Sequence, residues 1–239
     1  MLRSIASPLV ACLALAAPLA GQNDGTRLTD ITPWLMDRTA EIAMARSSAP
    51  YGLGDEATVW VLTARGYERA VEGSNGFACF VGRGWSGPIL IGPPDGRRLH
   101  PDVFDRQLRA PHCFNPAAAR SILPWQIART RARLAGVPAE RVDAEMQRQL
   151  EAGDLTAPEA GAMAYMMSPR QDLGPDFGPW RPHTMVYLPY LSNPDWGIPG
   201  FTHDFPFVAE PGTPWAVAVL PMAVYSDGSR ASATVHGRH

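Results

Sequence analysis

Histidine, methionine and tyrosine alternate along two short apolar segments, and these are the residues whose types and spacing could bind a ligand. In residues 183–188, β-strand alternation puts His183, Met185 and Tyr187 on one face. In residues 162–167 the same alternation groups Met163, Tyr165 and Met167 on one face. If the two segments pair with these faces aligned, one surface carries an imidazole, two phenols and several thioethers.

Two kinds of ligand fit such a surface. Imidazole and thioether groups together suit a soft metal, above all copper in an exported protein. The metal hypothesis names His183, Met185, Met163 and Met167. The small-molecule hypothesis names five side chains, including Trp180 from the preceding loop: His183, Met185, Tyr187, Tyr165 and Trp180. The simpler alternative is that the methionines fill an irregular core while His183 hydrogen-bonds a loop carbonyl.

A second histidine, His203, stands beside Asp204 in a loop rich in proline and phenylalanine. Together with His183 or His100, this pair could form a zinc site or a hydrolytic site in which His183 or His203 is the base. No HExxH motif and no pair of closely spaced ligands supports this hypothesis. A local carboxylate–imidazole hydrogen bond is the alternative.

The N-terminal segment predicts export. Arg3 precedes an apolar run over residues 5–19 that ends in small residues, which is the layout of a signal peptide spanning residues 1–20. Residues 21–239 are then expected to form a single domain without a transmembrane segment. A lipid-anchored chain is the alternative, because residues 9–12 match a lipoprotein-type box ending at Cys12.

Removal of this leader leaves two cysteines, Cys79 and Cys113. Two cysteines in an oxidising compartment usually pair, so we expect a disulfide that closes a loop of about 35 residues. A free thiol or a metal ligand is the alternative. Cys113 would then lie beside a helix N-terminus, with His112 as a candidate base.

Composition excludes several classes of function. The chain has 239 residues, 21 basic and 23 acidic side chains and a formal charge of −2, so nucleic acid is not an expected partner. All the basic residues are arginine, which excludes lysine Schiff-base chemistry and a P-loop. A GxGxxG match at residues 82–87 precedes a Pro/Gly loop rather than a helix, so it does not indicate a dinucleotide site.

The elements that must position these residues indicate an α+β fold. Helical patterns cover residues 33–46, 115–123, 125–134 and 138–152, with Pro124 separating the second from the third. Strand patterns cover residues 57–63, 77–81, 162–167, 183–188 and 215–220. We therefore expect a five-stranded, mainly antiparallel sheet with helices inserted between strands two and three. This order is PAS-like, by topological analogy only.

Four stretches carry a resemblance: NGFAC at 75–79, HCFN at 112–115, AMAYMMS at 162–168 and PHTMVY at 182–187. The chain resembles exported bacterial proteins with no assigned function, and this resemblance implies no activity or cofactor.

Aromatic residues concentrated in the loops favour an apolar pocket. The sequence therefore favours an exported, non-catalytic domain that binds a small molecule or a protein partner, with the metal-binding and hydrolase hypotheses as alternatives.

Overall fold

The computed structural model describes residues 28, 30–85, 106–174, 178–198 and 205–231. Eight strands form one sheet: β1 (Thr58–Thr63), β2 (Gly66–Val71), β3 (Ala78–Gly82), β4 (Ala110–Phe114), β5 (Met163–Met166), β6 (His183–Tyr187), β7 (Phe207–Ala209) and β8 (Val217–Pro221). The α-helices of the described residues are α1 (Arg38–Arg46), α2 (Pro116–Ser121), α3 (Leu123–Leu134) and α4 (Ala139–Ala152).

The expected five-stranded sheet is wrong, because the part of the chain that the structure describes forms a sheet of eight strands in the order β2-β1-β3-β4-β5-β6-β8-β7. β1 pairs antiparallel with β2 but parallel with β3, and the remaining neighbours are antiparallel. Helices α2 to α4 lie between residues 77–81 and 162–167 as expected, but the additional strand β4 precedes them there. This order overturns the PAS-like analogy, although a mixed α+β class is compatible with the structure.

The three missed strands have local sequences that do not look like strands. β2 is an edge strand containing Glu68 and Arg69, whose charges remain near water. β4 contains Pro111, which has no backbone N–H to donate to a ladder. Its pairing with β5 covers only Cys113 and Phe114, so the proline lies beyond that ladder. β7 has only three residues.

Local capping explains where two of the helices begin. The residues predicted to open the first helix form a separate 3-10 turn, Thr32–Trp34, and α1 begins after Asp37, whose carboxylate accepts from the Ala40 N–H at 2.9 Å. Asn115 caps α2 by accepting from the Ala118 N–H at 3.0 Å, with Pro116 in the first turn, as the sequence predicts.

Both faces of the sheet are covered. Val59 and Val61 of β1 point to one face, where they pack in a small apolar cluster beneath α1. Leu62 points to the opposite face, which carries the larger core beneath α2 and α3 together with Phe80 and Phe114. Both faces of β1 therefore carry apolar residues because both are buried.

The predicted disulfide between Cys79 and Cys113 is confirmed. The two residues are direct partners in the antiparallel pairing of β3 with β4, and both are fully buried in the cluster beneath α1. Since both sulfurs are bonded, neither is a nucleophilic thiol. Within the described residues, no helix combines the length and the apolar character needed to cross a membrane.

Candidate functional site

The strand registers bring two histidines and a methionine together on the face of the larger core. Met166 of β5 is the direct partner of His183 of β6. The β4–β5 ladder ends at Cys113–Tyr165 and Phe114–Ala164. If its register continued by one residue, His112 would come level with Met166, and His112 does interact electrostatically with His183. On this continued register, three adjacent strands carry a row of an imidazole, a thioether and an imidazole on one face of the sheet.

His183 lies at the buried end of this row, with 3% of its surface exposed. Its Nδ1 is 3.0 Å from the Arg181 carbonyl oxygen and its Nε2 is 3.1 Å from the Met166 sulfur. Burial lowers the pKa of His183 to about 4, so the ring is neutral at pH 7 and carries one N–H. The carbonyl is the stronger acceptor, which assigns the proton to Nδ1 and leaves the Nε2 lone pair facing a sulfur lone pair.

His112 repeats the same arrangement on β4. Its Nδ1 is 2.7 Å from the carbonyl oxygen of Ala110, which stands two residues earlier, just as Arg181 stands two residues before His183. Its ring stacks on Phe80, with 5.1 Å between the ring centroids. Burial lowers the pKa of His112 to about 4, and a charge on His112 would further lower the pKa of His183.

Aromatic and amide groups hold the His183 end of the row in place. The Trp180 ring lies 4.6 Å from the His183 ring. The buried Gln171 amide donates to the Trp180 carbonyl at 2.6 Å and to the Arg181 carbonyl at 2.9 Å. Gln171 therefore positions the carbonyl group that orients the His183 ring.

The register differs from the one that the sequence-based ligand surface requires. Met185, Tyr187 and Trp180 do lie with His183 in the larger core, where burial raises the pKa of Tyr187. Met163 and Tyr165 occupy alternate positions of β5 and point to the opposite face.

Met167 follows β5, and its N–H bonds to the Ser48 carbonyl at 3.0 Å instead of continuing the ladder with β6. Sequence reasoning missed Met166 and gave His112 no part in the metal hypothesis. The alternation at residues 162–167 separates Met166 from Met163 and Met167, but it does not say which set faces His183.

The other predicted site has no structural description, because His203, Asp204 and His100 lie outside the described residues. Among the residues that are described, no three His, Cys, Asp or Glu side chains come close enough to hold a metal ion.

A groove of about 560 Å³ opens beside α1 and the turn at residues 226–227. It contains none of the predicted ligand-binding residues. Arg46 lines it, and its Nε is buried without a hydrogen-bond partner. Asp55 lies on the same lining, so the groove presents charges of both signs.

Comparison with known proteins returned no family model, no curated protein and no solved structure that matches this chain.

Proposed function

We propose that this protein is exported and non-catalytic, and that it binds a soft metal ion, Cu(I), through His183 Nε2 and Met166 Sδ. The observation that carries this proposal is the 3.1 Å approach of the two atoms in a buried position. A neutral imidazole has one N–H, yet this ring faces an acceptor at each nitrogen. His183 Nε2 and Met166 Sδ would both serve as ligands to a soft cation, which would replace the unfavourable pair of facing lone pairs with two bonds to the metal.

The chemical type of these two ligands favours copper. Thioether sulfur is a soft ligand that selects Cu(I), and imidazole also binds copper. Histidine ligands in metal sites commonly donate the second ring N–H to a backbone carbonyl, and Arg181 supplies that carbonyl here. The Trp180 ring packs 4.6 Å from the His183 ring, and His183 and Met166 are both buried, so the two ligand atoms lie away from bulk water.

The hydrolase alternative lacks a corresponding arrangement. In a Ser/His/Asp type of site, a carboxylate orients the basic histidine. Among the described residues, the hydrogen-bond partners of the His183 ring are a carbonyl and a thioether, with no carboxylate. A buried imidazole whose free nitrogen faces a methionine is poorly placed to activate water.

Export is supported by the leader-like residues 1–20 and by a buried disulfide, which persists in oxidising compartments. The intact mass of the chain recovered from its native compartment tests this part of the proposal. We expect a mass that lacks the leader and carries no lipid. A chain that retains residues 1–20, or that carries a lipid on Cys12, would contradict it.

Competition for copper tests the metal-binding proposal. Mature protein is titrated without oxygen against a chromogenic Cu(I) chelator, with ascorbate as reductant. We expect one Cu(I) per chain. The variant M166L should bind at least about tenfold more weakly, because leucine keeps the volume but removes the sulfur.

M163L is the matched control, because Met163 belongs to the same strand but to the opposite face. Its affinity should equal that of the wild-type protein. A wild-type chain that fails to compete for Cu(I), or M166L and M163L variants with equal affinities, would refute the proposed function.

A second candidate function is small-molecule binding in the groove beside α1. The specific observation is the buried Arg46 Nε that has no hydrogen-bond partner, since arginine pairs readily with a carboxylate. Melting temperatures measured with succinate and with an uncharged sugar test whether the groove binds a carboxylate. Stabilisation by succinate that disappears in R46Q would support this function, and equal melting temperatures in all samples would refute it.

A further inference from the structure

We infer that His112 is the third ligand, so that Cu(I) is bound by His112, Met166 and His183 from three adjacent strands. This inference rests on the proposed function and deepens it, because it specifies the set of ligands and the charge of the ion that they bind. The observations that carry it are the contact of His183 with Met166, the position of His112 on the same face of the neighbouring strand, and the like orientation of the two imidazoles.

The first support is the placement by register. Antiparallel partners project to the same face of a sheet, and neighbouring strands are about 5 Å apart. Phe80 and His112 are partners, and their stacked rings at 5.1 Å show that the His112 side chain lies on the face of the larger core. Met166 and His183 are partners on that same face, one strand further along.

The second support is that both imidazoles are held in the same way. In each, Nδ1 lies within hydrogen-bond distance of the carbonyl oxygen two residues earlier, at 2.7 Å for His112 and 3.0 Å for His183. A proton on Nδ1 leaves Nε2 as the metal-binding atom in both rings. Two histidines oriented alike beside one thioether form a set of three neutral ligands.

The third support is access. His183 and Met166 are 3% and 2% exposed, so an ion cannot reach them without passing other groups. His112 is only partly buried. An ion that binds His112 first can therefore enter the row from its more exposed end, while the stacked Phe80 ring keeps the imidazole in place.

The absence of charge on the three ligands indicates which ion they bind. Imidazole and thioether are neutral when they coordinate a metal, so the buried site supplies no negative charge. Burial of a divalent cation without compensating charge is costly, whereas a monovalent soft cation costs less. The set therefore favours Cu(I) over Zn²⁺ and Cu²⁺.

X-ray absorption on the Cu(I)-loaded wild-type protein tests the coordination without any substitution. We expect a copper ion with two nitrogen ligands and one sulfur ligand. A copper ion with one nitrogen and one sulfur would overturn the role of His112 while leaving the proposed function intact. A wild-type protein that retains no Cu(I) would refute the proposed function, and this inference with it.

A rescue experiment tests the same ligand in solution. H112A should bind Cu(I) at least about tenfold more weakly than the wild type, and free imidazole should restore the affinity by filling the vacated position. M163L, given the same imidazole, should not change. An H112A affinity equal to the wild-type value, or a loss that imidazole does not restore, would overturn the role of His112.

Discussion

The Arg83 guanidinium and the Glu41 carboxylate form an ion pair with 3.0 Å between Nη2 and Oε1, and both side chains are almost completely buried. Glu41 Oε1 also accepts from the Leu62 N–H at 3.2 Å, and Arg83 Nε donates to the Trp34 carbonyl at 3.1 Å. Burial raises the pKa of Glu41, while the nearby Arg83 opposes that shift. The pair fastens α1 and the 3-10 turn before it to β1 and to the end of β3.

Substitution of one member of this pair should be strongly destabilising. E41Q removes the negative charge from a buried ion pair, which costs about 3–5 kcal/mol of unfolding free energy. Urea unfolding followed by circular dichroism measures the loss. The matched control is E159Q, because the Glu159–Arg120 pair is exposed and its loss should barely move the urea midpoint. Equal midpoint shifts in the two variants would contradict this interpretation.

Removal of the disulfide should lower stability. Cys79 and Cys113 are 34 residues apart, and closing a loop of that length contributes about 4 kcal/mol in the chain-entropy model. The urea midpoint of the wild-type protein should fall on addition of a reductant, once alkylation shows that both thiols are free. The C79A/C113A double variant should have a low midpoint that the reductant leaves unchanged. A fully reduced wild-type protein with an unaltered midpoint would disprove the contribution.

If the proposed function is correct, Gln171 should influence Cu(I) affinity without contacting the ion. Its amide holds the Arg181 carbonyl, which in turn orients His183. Removal of such an outer partner typically weakens metal binding about 10–100-fold. We expect Q171L to lose Cu(I) affinity by at least about tenfold in the chelator competition.

Q147L is the control for Gln171, because Gln147 lies on the exposed side of α4 and its amide donates to Glu151. Its Cu(I) affinity should match that of the wild type. A Q171L variant that also matches the wild type would show that the Arg181 carbonyl is held in place without Gln171.

Acid should destabilise the metal-free protein through His183. The folded-state pKa is about 4, below the usual value of 6.5, so the unfolded chain binds the proton more readily. The contribution is fully present above about pH 6.5 and declines as the pH falls to about 4, by on the order of 3 kcal/mol. Burial also lowers the pKa of His112, so its protonation should likewise reduce the stability of the folded protein in acid.

Unfolding free energies measured in urea with EDTA, from pH 7.5 to pH 4, test this dependence. H183Q lacks the titrating group, so its stability should fall less steeply than that of the wild type over this range. Parallel pH profiles for the two proteins would show that His183 does not titrate in this way.

Several local features of this protein follow from its sequence alone. Asn115 followed by Pro116 predicts the start of α2, because an amide side chain caps the first turn and proline suits the first helical position. The segment that forms β1 is rich in β-branched residues and carries apolar side chains on both of its faces. This pattern predicts a strand that is buried on both sides. Two cysteines in a chain with a leader-like start predict the disulfide.

Tertiary structure alone decides which side chains meet. A strand alternates with a period of two, so a shift of one residue exchanges its faces, and the segment containing Met163 and Met166 is apolar in both registers. The pairing of β5 with β4 and β6 selects Met166 for the His183 face. Pro111 and His112 belong to a strand through their pairing with β3, which the local sequence does not indicate. The row of two imidazoles and one thioether therefore arises from contacts between distant segments, which no local pattern encodes.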